Sequence, residues 1–190
     1  MLYCLNLNCE KPENGDGAEV CLSCGTQLLL HNRFRILKPL GEGGLGKTYL
    51  AQDCDKMDEP CVVKQLKYDS QGTQANKKIT ELFLREAQQL YQMGGQAQIP
   101  DLIAYFENAG YFYLVQELIE GEDLAQEKER GLFDEAKIRG LLGDVLPILS
   151  FIHQRGVIHR DLKSANIMRR KTDGKLMLMI LGCRGSSRRD

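Results

Sequence analysis

The chain has 190 residues, a formal net charge of −1 and 27% charged residues, which suits one ordinary domain plus a small module. A charge so close to zero argues against a dedicated nucleic-acid surface, and no run approaches the ~20 apolar residues that span a membrane. The first residues, Met1-Leu2-Tyr3-Cys4, lack the charged and apolar regions of a secretion signal. We therefore expect a cytoplasmic protein with no nucleic-acid partner and no membrane span, whose cysteines bind metal rather than form disulfides.

Four cysteines near the start of the chain form two pairs. Four residues separate Cys4 from Cys9, two separate Cys21 from Cys24, and Gly25 follows. A segment this short cannot fold on apolar burial alone, whereas four thiolates can close a tetrahedral structural zinc site and supply the missing folding free energy. We predict a zinc-ribbon-like module over residues 1–27. The alternatives are unligated cysteines in a disordered tail, or a redox-active Cys-x-x-Cys, which lacks its strand-turn-helix context.

A glycine-rich stretch follows a short connector (26–33) and a predicted strand (34–40). Its Gly-x-Gly-x-x-Gly spacing occurs in dinucleotide-binding folds and in hairpins that cover nucleotide phosphates. A dinucleotide-binding turn opens a helix, whereas Thr48-Tyr49-Leu50-Ala51 continues as a strand, so the hairpin is favoured. Bare backbone lets N–H groups approach an anion closely. The candidate phosphate-binding residues are Gly41, Glu42, Gly43, Gly44 and Gly46.

Residues 60–66 are predicted to form a buried strand that contains a single lysine, Lys64. Its spacing from the glycine-rich stretch favours a phosphate-binding role over the alternative, a solvated lysine on an edge strand. From about residue 76 to residue 93, apolar residues recur at three- and four-residue steps, which predicts a helix. Glu86 on this helix is the candidate ion-pair partner of Lys64. Glu81 is the rival, and the Arg-Glu-Ala context favours Glu86.

Two further strands, 101–106 and 111–116, are predicted to form a hairpin. Asp134 can then cap a long helix that extends to about Gln154. Apolar residues at helical spacing predict its buried stripe, which consists of Ile138, Leu141, Leu142, Val145, Leu149 and Ile152.

The segment after this helix contains His159-Arg160-Asp161, then Lys163 and Asn166. This is the pattern of a protein-kinase catalytic loop. An Asp here can accept the proton of an attacking hydroxyl, a Lys two residues on can neutralise charge on the transferring phosphoryl group, and an Asn at this spacing can hold a metal ion. A strand, a polar turn and a second strand built from common residue types is the alternative.

In combination, the motifs over residues 34–180 resemble the small lobe and the first part of the large lobe of a eukaryotic-like serine/threonine protein kinase. The four-cysteine start is similar to that of a group of cyanobacterial kinases. The resemblance implies an α+β fold, with an antiparallel β small lobe at about 34–117, a partial helical large lobe at about 118–182 and an irregular tail at 183–190.

The same resemblance implies ATP with Mg²⁺ or Mn²⁺, and a protein substrate with a Ser or Thr that receives the γ-phosphate. Asp161, Lys163 and Asn166 are then catalytic, and Asn166 also holds magnesium. The implied ATP-binding residues are Gly41, Glu42, Gly43, Gly44, Gly46, Lys64, Glu86, Glu117 and Ile119.

Two departures from the family pattern stand out. Ser164 replaces the usual Pro, and the metal-binding Asp-Phe-Gly reads Ile180-Leu181-Gly182. An isoleucine has no oxygen for magnesium, so the metal that bridges the phosphates would be poorly held. The activation segment and later helices of the large lobe are also missing from the sequence. We therefore expect this form of the kinase to be inactive.

Two alternatives to a damaged kinase stay open. One is a non-catalytic nucleotide-binding pseudokinase or scaffold with a zinc module. The second is a truncated fragment produced by a frameshift near Met179: codons for Met-Ile-Leu-Gly, read two bases later, can encode Asp-Phe-Gly. Ile and Leu codons that are incompatible with the shifted frame would exclude the frameshift.

Overall fold

The structure, a computed structural model, describes residues 1–43, 46–67, 74–131 and 133–180. The predicted site residue Gly44, the Leu181-Gly182 part of the altered motif and the predicted tail 183–190 lie outside these ranges. In chain order the elements are β1 (Leu2–Tyr3), β2 (Glu13–Asn14), β3 (Leu29–Leu30), β4 (Phe34–Gly43), β5 (Gly46–Asp53), β6 (Glu59–Lys67), α1 (Gln74–Met93), β7 (Leu102–Asn108), β8 (Tyr111–Glu117), β9 (Gly121–Asp123), α2 (Leu124–Glu129), α3 (Glu135–Gln154), β10 (Ile167–Arg170) and β11 (Leu176–Leu178).

The main sheet is antiparallel and has the strand order β3-β4-β5-β6-β8-β7. Alternation of side chains along its strands gives it two buried faces. The first packs with α1 through a core that includes Leu66, Phe83 and Leu90. The second face buries Ile36, Val63 and other residues of the sheet in a core that also contains Leu5 and Leu30, both from outside the predicted small lobe.

The predicted connector 26–33 is partly wrong. Leu29–Leu30 within it forms β3, which pairs with the start of β4 through Leu29↔Arg35 and Leu30↔Phe34. Both leucines are apolar, and Leu30 is buried in the core on the second face of the sheet. The module boundaries given above stay predictions.

Helix α3 begins where the sequence predicts, because the carboxylate of Asp134 accepts a 2.7 Å hydrogen bond from the Lys137 amide. Its predicted buried stripe is wrong at the N-terminal end: Ile138 is 45% exposed and Leu142 is 51% exposed. The helix is buried only in its second half, at Val145, Ile148 and Ile152. These residues share a face with Ile138 and Leu142, but the N-terminal turns extend beyond the packed core.

A second, smaller sheet has the order β11-β10-β9. Gln98, in the loop after α1, forms two hydrogen bonds with β11 of this sheet. Its carbonyl accepts from the Leu178 amide (2.8 Å), and its side-chain amide donates to the Leu176 carbonyl (3.0 Å). This contact fixes the end of β11 beside the C-terminal end of α1. No helix within the described ranges is long and apolar enough to cross a bilayer.

A buried carboxylate at the end of β5 predicts a specific acid sensitivity. Asp53 accepts two hydrogen bonds of 2.7 Å from Arg33, and this pairing lowers the pKa of Asp53 against the opposing effect of burial. Because the folded-state pKa is depressed, the stabilisation is present above the unfolded pKa near 3.8 and is lost as pH falls through the folded value.

We expect Asp53→Asn to lower the free energy of unfolding at pH 7 and to flatten its decline below about pH 4. Urea unfolding across pH 2–7 measures both effects. Asp55→Asn is the matched control, because that exposed carboxylate lies 3.5 Å from the same arginine. An equal effect of the two substitutions would contradict this assignment.

Candidate functional site

A cavity of about 320 Å³ lies between the main sheet and the small sheet, a size in the range of small-molecule sites. The predicted ATP-binding residues Glu117 and Ile119 line it. So do Thr48 and Met179, which the sequence reasoning did not single out. Thr48 stands where the glycine-rich hairpin motif usually has Val, so comparison with that motif could have identified it. A larger cavity of about 600 Å³ lies between the cysteine-bearing segment and strands β3 to β5 of the main sheet, and its described lining contains none of the predicted site residues.

The buried lysine of β6 is paired as the sequence reasoning preferred. Lys64 forms an ion pair with Glu86, and both side chains are buried. Glu81, the rival carboxylate, is exposed. Helix α1 supplies the glutamate and β6 the lysine, so this pair links the helix to the sheet beside the cavity.

The glycine-rich hairpin places β4 against β5, with Gly41 opposite Thr48 and Gly43 opposite Gly46. Gly46 has a φ of +106°, and a Cβ there would lie 2.1 Å from the Gln65 carbonyl oxygen. Only glycine meets both conditions. Glu42 is on the exposed part of this hairpin, with its carboxylate 3.7 Å from the Lys47 ammonium. Gly44 lies outside the described residues.

Asp161, Lys163 and Asn166 form a compact cluster. The Asp161 carboxylate accepts a hydrogen bond from Lys163 and one of 2.9 Å from the Asn166 side-chain amide. Hydrogen bonding from Lys163, against a smaller effect of burial, lowers the pKa of Asp161. This carboxylate is therefore ionised at neutral pH and can accept a proton.

The cluster is tied to the cavity through Met179. The Met179 amide donates to the Asn166 carbonyl (2.9 Å), and the Met179 carbonyl lies 2.8 Å from His159 Nε2. Since His159 Nδ1 accepts from the Asp161 amide (3.3 Å), the ring proton belongs on Nε2 and is donated to Met179. Arg160 between them has a φ of +61°, a strained backbone of the kind found at functional sites.

Two positions decide whether a divalent metal fits beside this cluster. Asn166 is buried, and its Oδ1 has no hydrogen-bond partner among the described residues, so one oxygen ligand of the type that magnesium prefers is available. Ile180, at the other expected ligand position, is buried in the apolar core with Leu66 and Phe83 and offers no oxygen. The site therefore fits a magnesium ion with one of its two expected protein ligands.

The four N-terminal cysteines converge. Their Sγ atoms all lie within 4.8 Å of one another, with Cys4–Cys24 and Cys9–Cys21 both at 3.6 Å. Metal–sulfur bonds of about 2.3 Å in a tetrahedral zinc site put the sulfurs about 3.8 Å apart. The hydrogen bond with Thr26 lowers the pKa of Cys24 to about 6, which favours the thiolate form. The arrangement fits a zinc ion held by all four cysteines.

Two further residues shape the cysteine cluster. Gly25 has a φ of +73° and donates its amide to the Cys21 carbonyl at 2.8 Å, which closes the turn between Cys21 and Cys24. The buried Asn14 donates to Cys21 Sγ (3.6 Å) and accepts from the Leu22 amide (3.0 Å). Sequence reasoning missed Asn14, and its place as a polar residue between the two cysteine pairs is the signal that could have identified it.

Comparison with known proteins adds an independent finding. The family model described as "Protein kinase domain" matches residues 34–185. The chain is similar to serine/threonine-protein kinase B of Synechocystis, with 45% identity over 96% of this chain and 32% of that protein. It is also similar to serine/threonine-protein kinase PknA of Nostoc, with 43% identity over 81% of this chain and 28% of that protein. The chain thus spans about a third of the length of the curated relatives it matches.

Proposed function

Because the chain belongs to the protein kinase family, whose members use ATP and a divalent metal, we propose that it binds ATP in the cavity lined by Thr48, Glu117 and Ile119. We further propose that Asp161, Lys163 and Asn166 are the residues for transfer of the γ-phosphate to a protein Ser or Thr. The observation that carries this proposal is the direct link, through Met179, between the cavity and the cluster around Asp161. The predicted α+β kinase fold is confirmed by the family match.

Each residue has a defined part in this chemistry. The Asp161 carboxylate accepts the proton of the substrate hydroxyl. The hydroxyl oxygen attacks the terminal phosphorus of ATP, and the bond from that phosphorus to the bridging oxygen breaks, so that ADP leaves. Lys163, which contacts Asp161, neutralises charge on the transferring group. The glycines of the hairpin and Lys64, oriented by Glu86, hold the phosphates. Asn166, whose buried Oδ1 has no partner among the described residues, would help to hold a magnesium ion, and that ion would neutralise phosphate charge.

A second candidate function is nucleotide binding without catalysis, as in a scaffold or pseudokinase. The buried Ile180 favours it, because an apolar side chain occupies the position of a metal ligand. We also propose that the four cysteines hold a structural zinc ion, and that the kinase site, with its metal ligand restored, would serve cytoplasmic signalling through phosphorylation of protein partners. The convergence of the four sulfurs supports the zinc ion.

The test is to restore the missing oxygen. We expect the native chain to bind ADP with little dependence on magnesium, and Ile180→Asp to bind MgADP at least about tenfold more tightly than ADP alone. A buried, unpaired carboxylate is unfavourable, so this variant should melt at a lower temperature without ligand and show the larger shift on adding MgADP. Thermal shift and calorimetric titration measure both quantities.

Ile180→Val is the matched control and should behave like the native chain, since it also lacks an oxygen. Transfer of labelled phosphate from ATP to a generic protein substrate should be detectable at most in the Ile180→Asp variant and should disappear when Asp161→Asn is added. ADP binding by neither chain would refute the nucleotide site. Robust transfer by the native chain would show that Ile180 does not prevent catalysis.

A further inference from the structure

Gln65 lies next to Lys64 on strand β6 and forms a hydrogen bond with the N-terminal segment that carries the four cysteines. Its side chain lies on the sheet face opposite Lys64, since neighbouring residues of a strand alternate, and it is 2% exposed. Its amide nitrogen donates to the carbonyl of Leu5 and to the hydroxyl of Tyr113, each at 3.0 Å. Its amide oxygen accepts from the Tyr49 hydroxyl at 3.1 Å. The carboxamide thus bonds with both neighbouring strands and with the N-terminal segment.

The partner of Gln65 in that segment adjoins a cysteine ligand. Leu5 follows Cys4 directly, and its side chain is buried with Tyr49, Val63 and Tyr113 on the second face of the main sheet. The aromatic ring of Tyr3 also lies 5.9 Å from that of Tyr49. The residues on both sides of Cys4 therefore pack against the sheet. A change in the position of the Cys4 sulfur would thus also move the Leu5 carbonyl.

The backbone of Gln65 meets the phosphate-binding elements. It adjoins Lys64 in β6, and its carbonyl oxygen lies so close to Gly46 that a Cβ there would be 2.1 Å away. The base of the glycine-rich hairpin therefore rests on Gln65. A shift of this residue would move both the hairpin and Lys64.

We propose that Gln65 is a positioning residue that couples metal occupancy of the four cysteines to nucleotide affinity. With metal bound, Cys4 is held, the Leu5 carbonyl receives the Gln65 amide, and β6 is fixed for the nucleotide phosphates. Without metal, the Leu5 carbonyl is released from Gln65. The side-chain amide of Gln65 then keeps its hydrogen bond to the Tyr113 hydroxyl. The coupling rests on the nucleotide site and on the cysteine metal site proposed above.

The test measures affinity for a fluorescent ADP analogue, with magnesium, in zinc-loaded and zinc-free preparations of the whole chain. We expect zinc to tighten binding about tenfold in the native chain, within the usual range of coupling between sites. In Gln65→Met, which has similar length but no hydrogen-bonding amide, the effect of zinc should fall below about twofold. Gln65→Glu should behave alike, because a carboxylate cannot donate to the Leu5 carbonyl.

Tyr113→Phe is the matched control. It removes one hydroxyl from the same carboxamide but keeps the Gln65–Leu5 bond, so the tenfold zinc effect should persist. A merely structural role for Gln65 would instead make this control lose the effect along with the two Gln65 variants.

A reciprocal measurement needs no variant. If the sites are coupled, saturating MgADP must tighten cobalt binding by the native chain by the same factor by which cobalt tightens ADP binding. The absorption of a cobalt–thiolate site follows the titration. This titration decides the coupling even if Gln65→Met fails to fold. Nucleotide binding without any dependence on zinc would overturn the coupling alone, whereas no nucleotide binding in any preparation would overturn the nucleotide site and the coupling together.

Discussion

Replacement of Glu86 by Gln should lower the free energy of unfolding by about 3–5 kcal/mol, because it removes the Glu86 charge that pairs with the buried ammonium of Lys64. Urea denaturation at pH 7 measures this loss. Glu81→Gln, on the exposed side of the same helix, is the matched control and should change stability by less than about 0.5 kcal/mol.

The double variant Lys64→Met/Glu86→Leu separates the charge from the packing. Since neither buried charge remains, it should be clearly more stable than Glu86→Gln alone. Equal losses for Glu86→Gln and Glu81→Gln would contradict the importance of the buried pair for the fold.

Cys21→Ser should greatly weaken metal binding by the four-cysteine cluster. We expect the native chain to bind one zinc or cobalt ion through four thiolates. The variant should lose more metal affinity than the 10–100-fold that is lost when a residue hydrogen-bonded to a metal ligand is removed. Because metal binding supplies folding free energy to such a small module, residues 1–28 should also lose protection from hydrogen exchange. Competition with a chromophoric chelator and hydrogen-exchange mass spectrometry measure the two effects.

Two controls grade this result. Asn14→Ala keeps all four sulfurs but removes the donor to Cys21 Sγ, so its loss of affinity should fall between those of the native chain and Cys21→Ser. Cys54→Ser, at a cysteine outside the cluster, should bind metal normally. Equal metal binding by the native chain and Cys21→Ser would rule out a four-cysteine site.

Local spacing made most of the site predictable. Short motifs place a few adjacent residues against one ligand, so their chemistry can be predicted before the fold is known. This holds for the hairpin glycines, Lys64 and the Asp161–Asn166 segment. The choice of Glu86 over Glu81 depended on flanking residues, and the structure brings Glu86 to Lys64. Whether these residues bind and transfer phosphate stays a prediction.

The features that sequence reasoning missed are contacts between distant segments. Gln65 meets Leu5 across 60 positions of sequence, and no periodic pattern relates a strand residue to a backbone carbonyl so far away. The stripe on α3 shows another limit: spacing identified the correct face of the helix, but not how far along the helix the core extends. Burial of Ile148 and exposure of Ile138 depend on the tertiary position of the helix.

The packing of Leu5 and Leu30 in the core on the second face of the main sheet affects how the protein can be shortened. Expression from Phe34 onward, a natural choice given where the family match begins, would remove both leucines from the core that contains Ile36, Tyr49 and Val63 and would expose apolar surface there. Solvent-exposed apolar surface of this kind promotes aggregation. Recombinant versions intended for crystallisation or ligand screening should therefore retain the first 33 residues.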